Sequence, residues 1–143
     1  MTPRVDEGCT VPEERTLPLF GLSFERQTLP AAVEQISLAA KLRRTGLVVT
    51  PNVDQIVRFR EDAHMHHVYR NAMHVYADGM PIVWLSRMLD RAGLPARVTG
   101  ADLLPAVCHA AASRDFSVYF FGGDPGVADS AAERMRQAHP QLR

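Results

Sequence analysis

Lysine and cysteine are nearly missing from this sequence: Lys41 is the sole lysine, and Cys9 and Cys108 are the only thiols. Two cysteines, one in a polar leader and one in an apolar segment, make neither a disulfide framework nor a zinc-ligand spacing, so a reducing cytoplasm is the expected compartment. Net charge is missing too, since Lys+Arg and Asp+Glu number 16 each. That balance argues against a nucleic-acid partner, whose phosphates call for a basic surface. No apolar run approaches the roughly 20 residues of a spanning helix, and MTPRVDEGCTVPEERTLP has no signal-peptide core. An integral membrane protein is therefore not expected.

What remains is a chain of 143 residues with 46% apolar and 22% charged side chains, enough for one globular domain. Apart from Lys41 its Lys+Arg cations are arginines, the better forks for phosphates and carboxylates. Residues 1–18 mix Pro, Glu, Arg and Thr without periodicity and read as a mobile leader to a domain over 19–143. LFGLSF (19–24) is a candidate strand. Thr28 is placed to cap a helix with Pro30 in its first turn, in which Ala32, Val33, Ile36, Ala39 and Ala40 recur at helical spacing until Gly46. LVVT (47–50) suits a strand buried on both faces, and PN turns it into a helix from about Val53 to Asn71. HVYA (74–77) is a third strand ending at Asp78. Helices follow from about Pro81 to Arg91 and from near Ala101, where Pro105 falls near the first turn. SVYFFGG (117–123) is a fourth strand, and DPGVADSAAERMRQAH a last helix.

This alternation predicts an α/β fold, a Rossmann-like doubly wound and mainly parallel sheet with helices on both faces. Ligands bind such sheets at the carboxyl ends of the strands, which gathers T-P-N (50–52), A-D-G (77–79) and F-G-G-D-P-G (121–126) at one edge. HPQLR ends a helix where the alternation calls for another buried strand. The expectation is a domain cut short at its C-terminus, with SVYFF left uncovered and prone to self-association.

Each motif at that edge has two readings. Asp78 either closes an Asp-Gly turn or takes a proton from a hydroxyl as a general base. Gly122 and Gly123 either cradle a phosphate ahead of a helix or simply turn the chain, for the sequence is neither G-x-G-x-x-G nor a Walker loop. Thr50 and Asn52 either bind a ligand or cap the following helix. R-V-T-G-A-D puts Arg97, Thr99 and Gly100 at a helix start as an anion cradle, while Asp102 doubles as that helix's acidic first-turn residue. H-M-H-H (64–67) beside Glu61 and Asp62 invites a metal, yet only His64 and His67 share a face, and a solvated helix is the simpler reading. Trp84 and Met88, four apart, read as core packing.

Taken together, VVTPNVDQIV (48–57), YADGMPIVW (76–84), RVTGADLLP (97–105) and VYFFGGDPGVAD (118–129) resemble the bacterial WecG/TagA/CpsF family of glycosyltransferases, glycosyltransferase family 26, from about Phe20 to Arg143. The resemblance implies a cytoplasmic enzyme, working at the inner face of the membrane without metal or cofactor. It would move an N-acetylmannosamine-type or related sugar from a UDP donor onto a polyprenyl-diphosphate-linked acceptor, in teichoic acid or surface polysaccharide synthesis. By the same resemblance Asp78 is the base, and Thr50, Asn52 and Arg97 line the substrate pocket. Family members continue through a further strand, a Pro-x-Gln-Glu motif and an appendage used in membrane attachment, so this chain matches their N-terminal part. The competing expectation is a catalytically silent nucleotide-sugar-binding or interaction module on the same sheet.

Overall fold

A computed structural model describes residues 15–143. Ten elements follow one another: β1 (Thr16–Leu19), β2 (Leu22–Glu25), α1 (Leu29–Lys41), β3 (Val48–Val49), α2 (Val53–Arg58), α3 (Ala63–Arg70), β4 (His74–Val75), α4 (Met80–Leu89), α5 (Gly100–Ser113) and α6 (Val127–Ala138). The fold is mixed α/β, with six helices among the described residues and two small sheets. β1 and β2 form an antiparallel hairpin, and β3 and β4 a parallel pair in the register Val48 to His74 and Val49 to Val75.

LFGLSF is thus not one strand but the bend of a hairpin. Phe20 (φ 55°) and Gly21 (φ 74°) both take left-handed backbone, as the tight two-residue turn between twisted strands requires. Side chains alternate along both strands, so Leu17, Leu19, Leu22 and Phe24 point inward. β1 begins at Thr16, inside the stretch read as a leader; residues 1–14 of that stretch lie outside the described residues.

The parallel pair is covered on both faces, which is why three of its four paired residues are valines, His74 being the exception. Val49, Val75 and Ala77 join the hairpin, Ile56, Phe59, Ile82, Val83 and Leu94 in one core cluster. Val48 and Tyr76 face the other way, into a cluster built from Ala32 and Val33 of α1 and Leu103 and Ala110 of α5. Leu47, in contrast, is exposed and takes no part in either.

Two further expectations are corrected. The helix from Val53 to Asn71 is two helices: Phe59 turns into the core, and Asp62 starts α3 afresh by accepting the Met65 N–H at 2.8 Å. SVYFFGG forms no strand. Val118 and Phe120 pack against Cys108, Ala111 and Leu142, and a single backbone bond joins Val118 N–H to Arg143 O at 2.8 Å. Tyr119 and Phe121 stand 88% and 92% exposed. Among the described residues, the parallel order expected of a doubly wound sheet is therefore present only in β3 and β4. No helix among the described residues is long and apolar enough to cross a membrane.

Candidate active site

β4 delivers Asp78 to the end of the parallel pair. Beyond the two paired residues the ladder runs on, with Tyr76 N–H donating to Val49 O at 2.9 Å and Asp78 N–H to Pro51 O at 3.1 Å. On the opposite side Ala77 O accepts from Val98 N–H at 2.9 Å. The chain around Asp78 is thus held from both flanks. Gly79 then turns at φ 113°, a region costly for any residue with a Cβ, and α4 starts at Met80.

The Asp78 carboxylate is half-buried and makes no hydrogen bond among the described residues. It does not cap α4, whose N-cap is Gly79 with no side-chain bond. A turn aspartate would be expected to bond the backbone two residues on, and this one does not.

Three stretches meet here. Thr50 is half-buried one residue before Pro51, and Gly100, the first residue of α5, comes so close that a Cβ on it would lie 3.2 Å from Thr50 Oγ1. Arg97 precedes the Val98 bridge, is exposed, and forms no ion pair or hydrogen bond among the described residues. The loop that carries it is clamped from afar. Arg26, at the end of β2, donates to Gly93 O at 2.8 Å and pairs with Asp90 at 2.5 Å. Buried Ser86 Oγ accepts the Leu94 N–H at 2.8 Å, and Arg87 donates to Leu94 O and Pro95 O. The Arg26 guanidinium, seconded by the Ala92 N–H, holds the Asp90 carboxyl below the ordinary carboxylate range.

Other candidates are engaged locally. Asn52 forms a reciprocal capping box on α2, accepting from Gln55 N–H at 2.9 Å while Gln55 Oε1 accepts the Asn52 N–H at 3.0 Å. Thr99 accepts from Asp102 N–H at 3.1 Å and donates to the Asp102 carboxylate at 2.9 Å, so these two cap α5 together. That leaves Asp78, Thr50 and Arg97 as the polar side chains here without such a local partner.

Gly122 and Gly123 carry no such ties. Both are exposed, open space surrounds Gly122, and no hydrogen bond among the described residues links their loop to the three gathered stretches. The histidines of 64–67 do not converge either: His66 lies against Phe59 with Nε2 buried and unpartnered, while His67 meets Asn71. Trp84 and Met88, expected in the core, are 58% and 82% exposed, because α4 buries Ile82, Val83 and Ser86 instead.

Residues missed from the sequence centre on His74, at the start of β4, and Tyr76, just past its end. His74 Nδ1 meets Glu25 at 2.5 Å, its ring stacks on Tyr76, and Tyr76 donates to Gln35 at 2.9 Å. Burial, reinforced by the Glu25 charge, pushes the Tyr76 phenol well up. Only the fold brings these partners together, 41 and 49 residues apart in the chain, so no local pattern could reveal them.

The sequence model of the family described as "Glycosyl transferase WecG/TagA/CpsF family" matches residues 17–143. That span holds all three gathered stretches and most of the chain, and the chain belongs to this family.

Proposed function

We propose that this member of the WecG/TagA/CpsF family is a UDP-sugar-dependent glycosyltransferase with Asp78 as its general base. Family membership suggests glycosyl transfer in cell-envelope polysaccharide synthesis. The finer reading rests on one observation: a half-buried carboxylate at the end of a buried parallel strand, its backbone held on both sides, whose oxygens have no partner among the described residues. We read the β3–β4 unit, with helices over both faces, as the kernel of a doubly wound sheet, the plan in which strand ends carry ligands.

In this reading Asp78 takes the proton of an acceptor hydroxyl. The freed oxygen attacks the anomeric carbon of an N-acetylmannosamine-type or related sugar, the bond to the diphosphate breaks, and UDP leaves with the electron pair. Arg97 forks the departing diphosphate, and the first-turn N–H groups of Gly100 and Ala101, which lack an intrahelical acceptor, add fixed dipoles. Thr50, Asn52, Thr99 and Asp102 shape the pocket floor. The acceptor is a polyprenyl-diphosphate-linked sugar, so the reaction belongs at a membrane surface.

The test is UDP release from UDP-sugar with a lipid-linked acceptor analogue. Asp78→Asn, which keeps size and turn propensity, is expected to lower turnover by roughly 10²–10⁴-fold with an unchanged thermal melt. Turnover at the original rate would remove Asp78 from the chemistry. UDP-sugar binding without turnover in the parent chain would favour a binding module instead.

A further inference from the structure

His74 opens β4, and Asp78 lies beyond its other end, a span of about 13 Å in extended chain. Beside His74, where β2, α1 and β4 approach one another, is a cavity of about 340 Å³ whose walls include none of Asp78, Thr50, Arg97 and Gly100. Glu25, Gln35 and His74 line it, together with the exposed Arg15 and Arg44.

The polar groups of this cavity are only half used. Glu25 has its side chain nine-tenths buried; Oε1 meets His74 Nδ1, and Oε2 has no partner among the described residues. A carboxylate can only accept, so Nδ1 carries the hydrogen, and Nε2 of a neutral His74 is an acceptor without a donor. Gln35 accepts the Tyr76 hydroxyl through Oε1, while its amide nitrogen has no partner among the described residues. None of these three atoms is sealed in: the buried side-chain atom without a partner among the described residues is His66 Nε2.

Arg15 and Arg44 form no ion pair among the described residues. A strained turn brings Arg44 to the cavity. α1 is capped at Leu42, and Arg43 then takes left-handed backbone, φ 54°, where glycine usually ends a helix. The turn bonds Arg44 N–H to Ala39 O at 2.9 Å. Left-handed backbone is disfavoured in a residue with a Cβ, and such strain concentrates where ligands are held.

Two open acceptors and one open donor suit hydroxyl groups, whereas two unpaired guanidinium groups suit an anion. Their charge matches the nearly two negative charges of a phosphate monoester better than the single charge of a carboxylate. Leu38, Leu42 and Met73 add an apolar wall for the face of a ring. The volume lies near the lower end of small-molecule sites, about 300–1,000 Å³, which favours a single ring over a nucleotide.

We propose that this cavity binds a phosphorylated monosaccharide, its phosphate forked by Arg15 and Arg44 and its hydroxyls bonded to Glu25, His74 and Gln35. The site is separate from the one at Asp78, and its occupancy does not depend on the reaction proposed above.

The test is isothermal titration calorimetry of the full chain with glucose 6-phosphate, mannose 6-phosphate and glucose 1-phosphate, against glucose, glucuronate and inorganic phosphate. At least one phosphohexose should bind roughly tenfold more tightly than every comparator. Arg44→Ala should weaken that binding by roughly tenfold. Glu25→Gln should weaken it as well; should the buried change disturb folding by circular dichroism, the exposed Arg44 decides alone. Arg97→Ala, at the other end of the strand, should leave the affinity as it was. Binding lost in Arg97→Ala but kept in Arg44→Ala would place the sugar phosphate beside Asp78 and overturn the proposal. So would the failure of all three phosphohexoses to bind, or inorganic phosphate or glucuronate binding as tightly as they do.

Discussion

The end of β4 and the stretch 117–126 are both apolar runs that lead through glycine into a helix, yet they are held in opposite ways. Residues 76–78 are bonded on two sides, to Val49 and Pro51 on one and Val98 on the other, and every side chain from Val75 to Ala77 is buried. Residues 117–123 have one backbone bridge, from Val118 to Arg143, and turn Tyr119 and Phe121 to solvent. The difference teaches what fixes a site. A carboxylate can be aimed only where the backbone beneath it has no freedom, and neighbours on both edges remove that freedom at Asp78. The Gly122–Gly123 turn has no such backbone bridges among the described residues.

That contrast can be broken by mutation. Phe24, fully buried under the parallel pair, should lose about 3–5 kcal/mol of stability when changed to Ala, read as a fall in the denaturant midpoint. A loss near zero would mean that the hairpin does not brace β4. Asn52→Ala should cost about 1 kcal/mol, because it removes the capping box of α2. Asn52→Ser keeps a cap; if it restores the melt but not transfer, Asn52 also touches substrate. Asp90 gives a smaller effect, one that fades in acid. Because Arg26 depresses its folded pKa, the stability it contributes is present above the unfolded value, about 3.9, and is lost as pH falls through the lower folded value. Asp90→Asn should therefore lower the melt slightly at neutral pH, change it little in acid, and so flatten the acid limb of the stability curve. Smallest of all, Phe121→Ser should change stability by no more than about 0.5 kcal/mol, as expected of an exposed side chain. A large loss there would show that the outward stretch is packed in solution.

Local chemistry was legible in the sequence, and long-range pairing was not. Thr28, Asn52 and Thr99 all stand at helix N-caps, as their residue types suggest, although the Thr28 side chain makes no capping bond. The strand leading to Asp78 was legible because four apolar or aromatic residues end at Asp-Gly. The hairpin was not, since a single glycine inside LFGLSF looks like a strand interior until both turn residues are found at positive φ. The break between α2 and α3 hides in Phe59 and Asp62, which satisfy helical periodicity while one turns inward and the other restarts the hydrogen bonding. α4 misled for a different reason: both of its faces are apolar, and periodicity cannot say which one meets the core. Of the candidate stretches, T-P-N and A-D-G lie side by side through the Asp78 N–H to Pro51 O bond, as the strand-end rule anticipates, and Gly100 comes up against Thr50, a contact that rule does not supply; the expected fourth strand before Gly122 and Gly123 does not form.

The clamp from Arg26 to Asp90 and Gly93 ties the hairpin to the connection that carries Arg97. Residues more than sixty positions apart therefore belong to one cooperative unit, and the connection cannot fray alone as an exposed loop would. Any event that loosens β2 also releases the arginine, so the order of a loop beside Asp78 is set by the opening strands of the described chain.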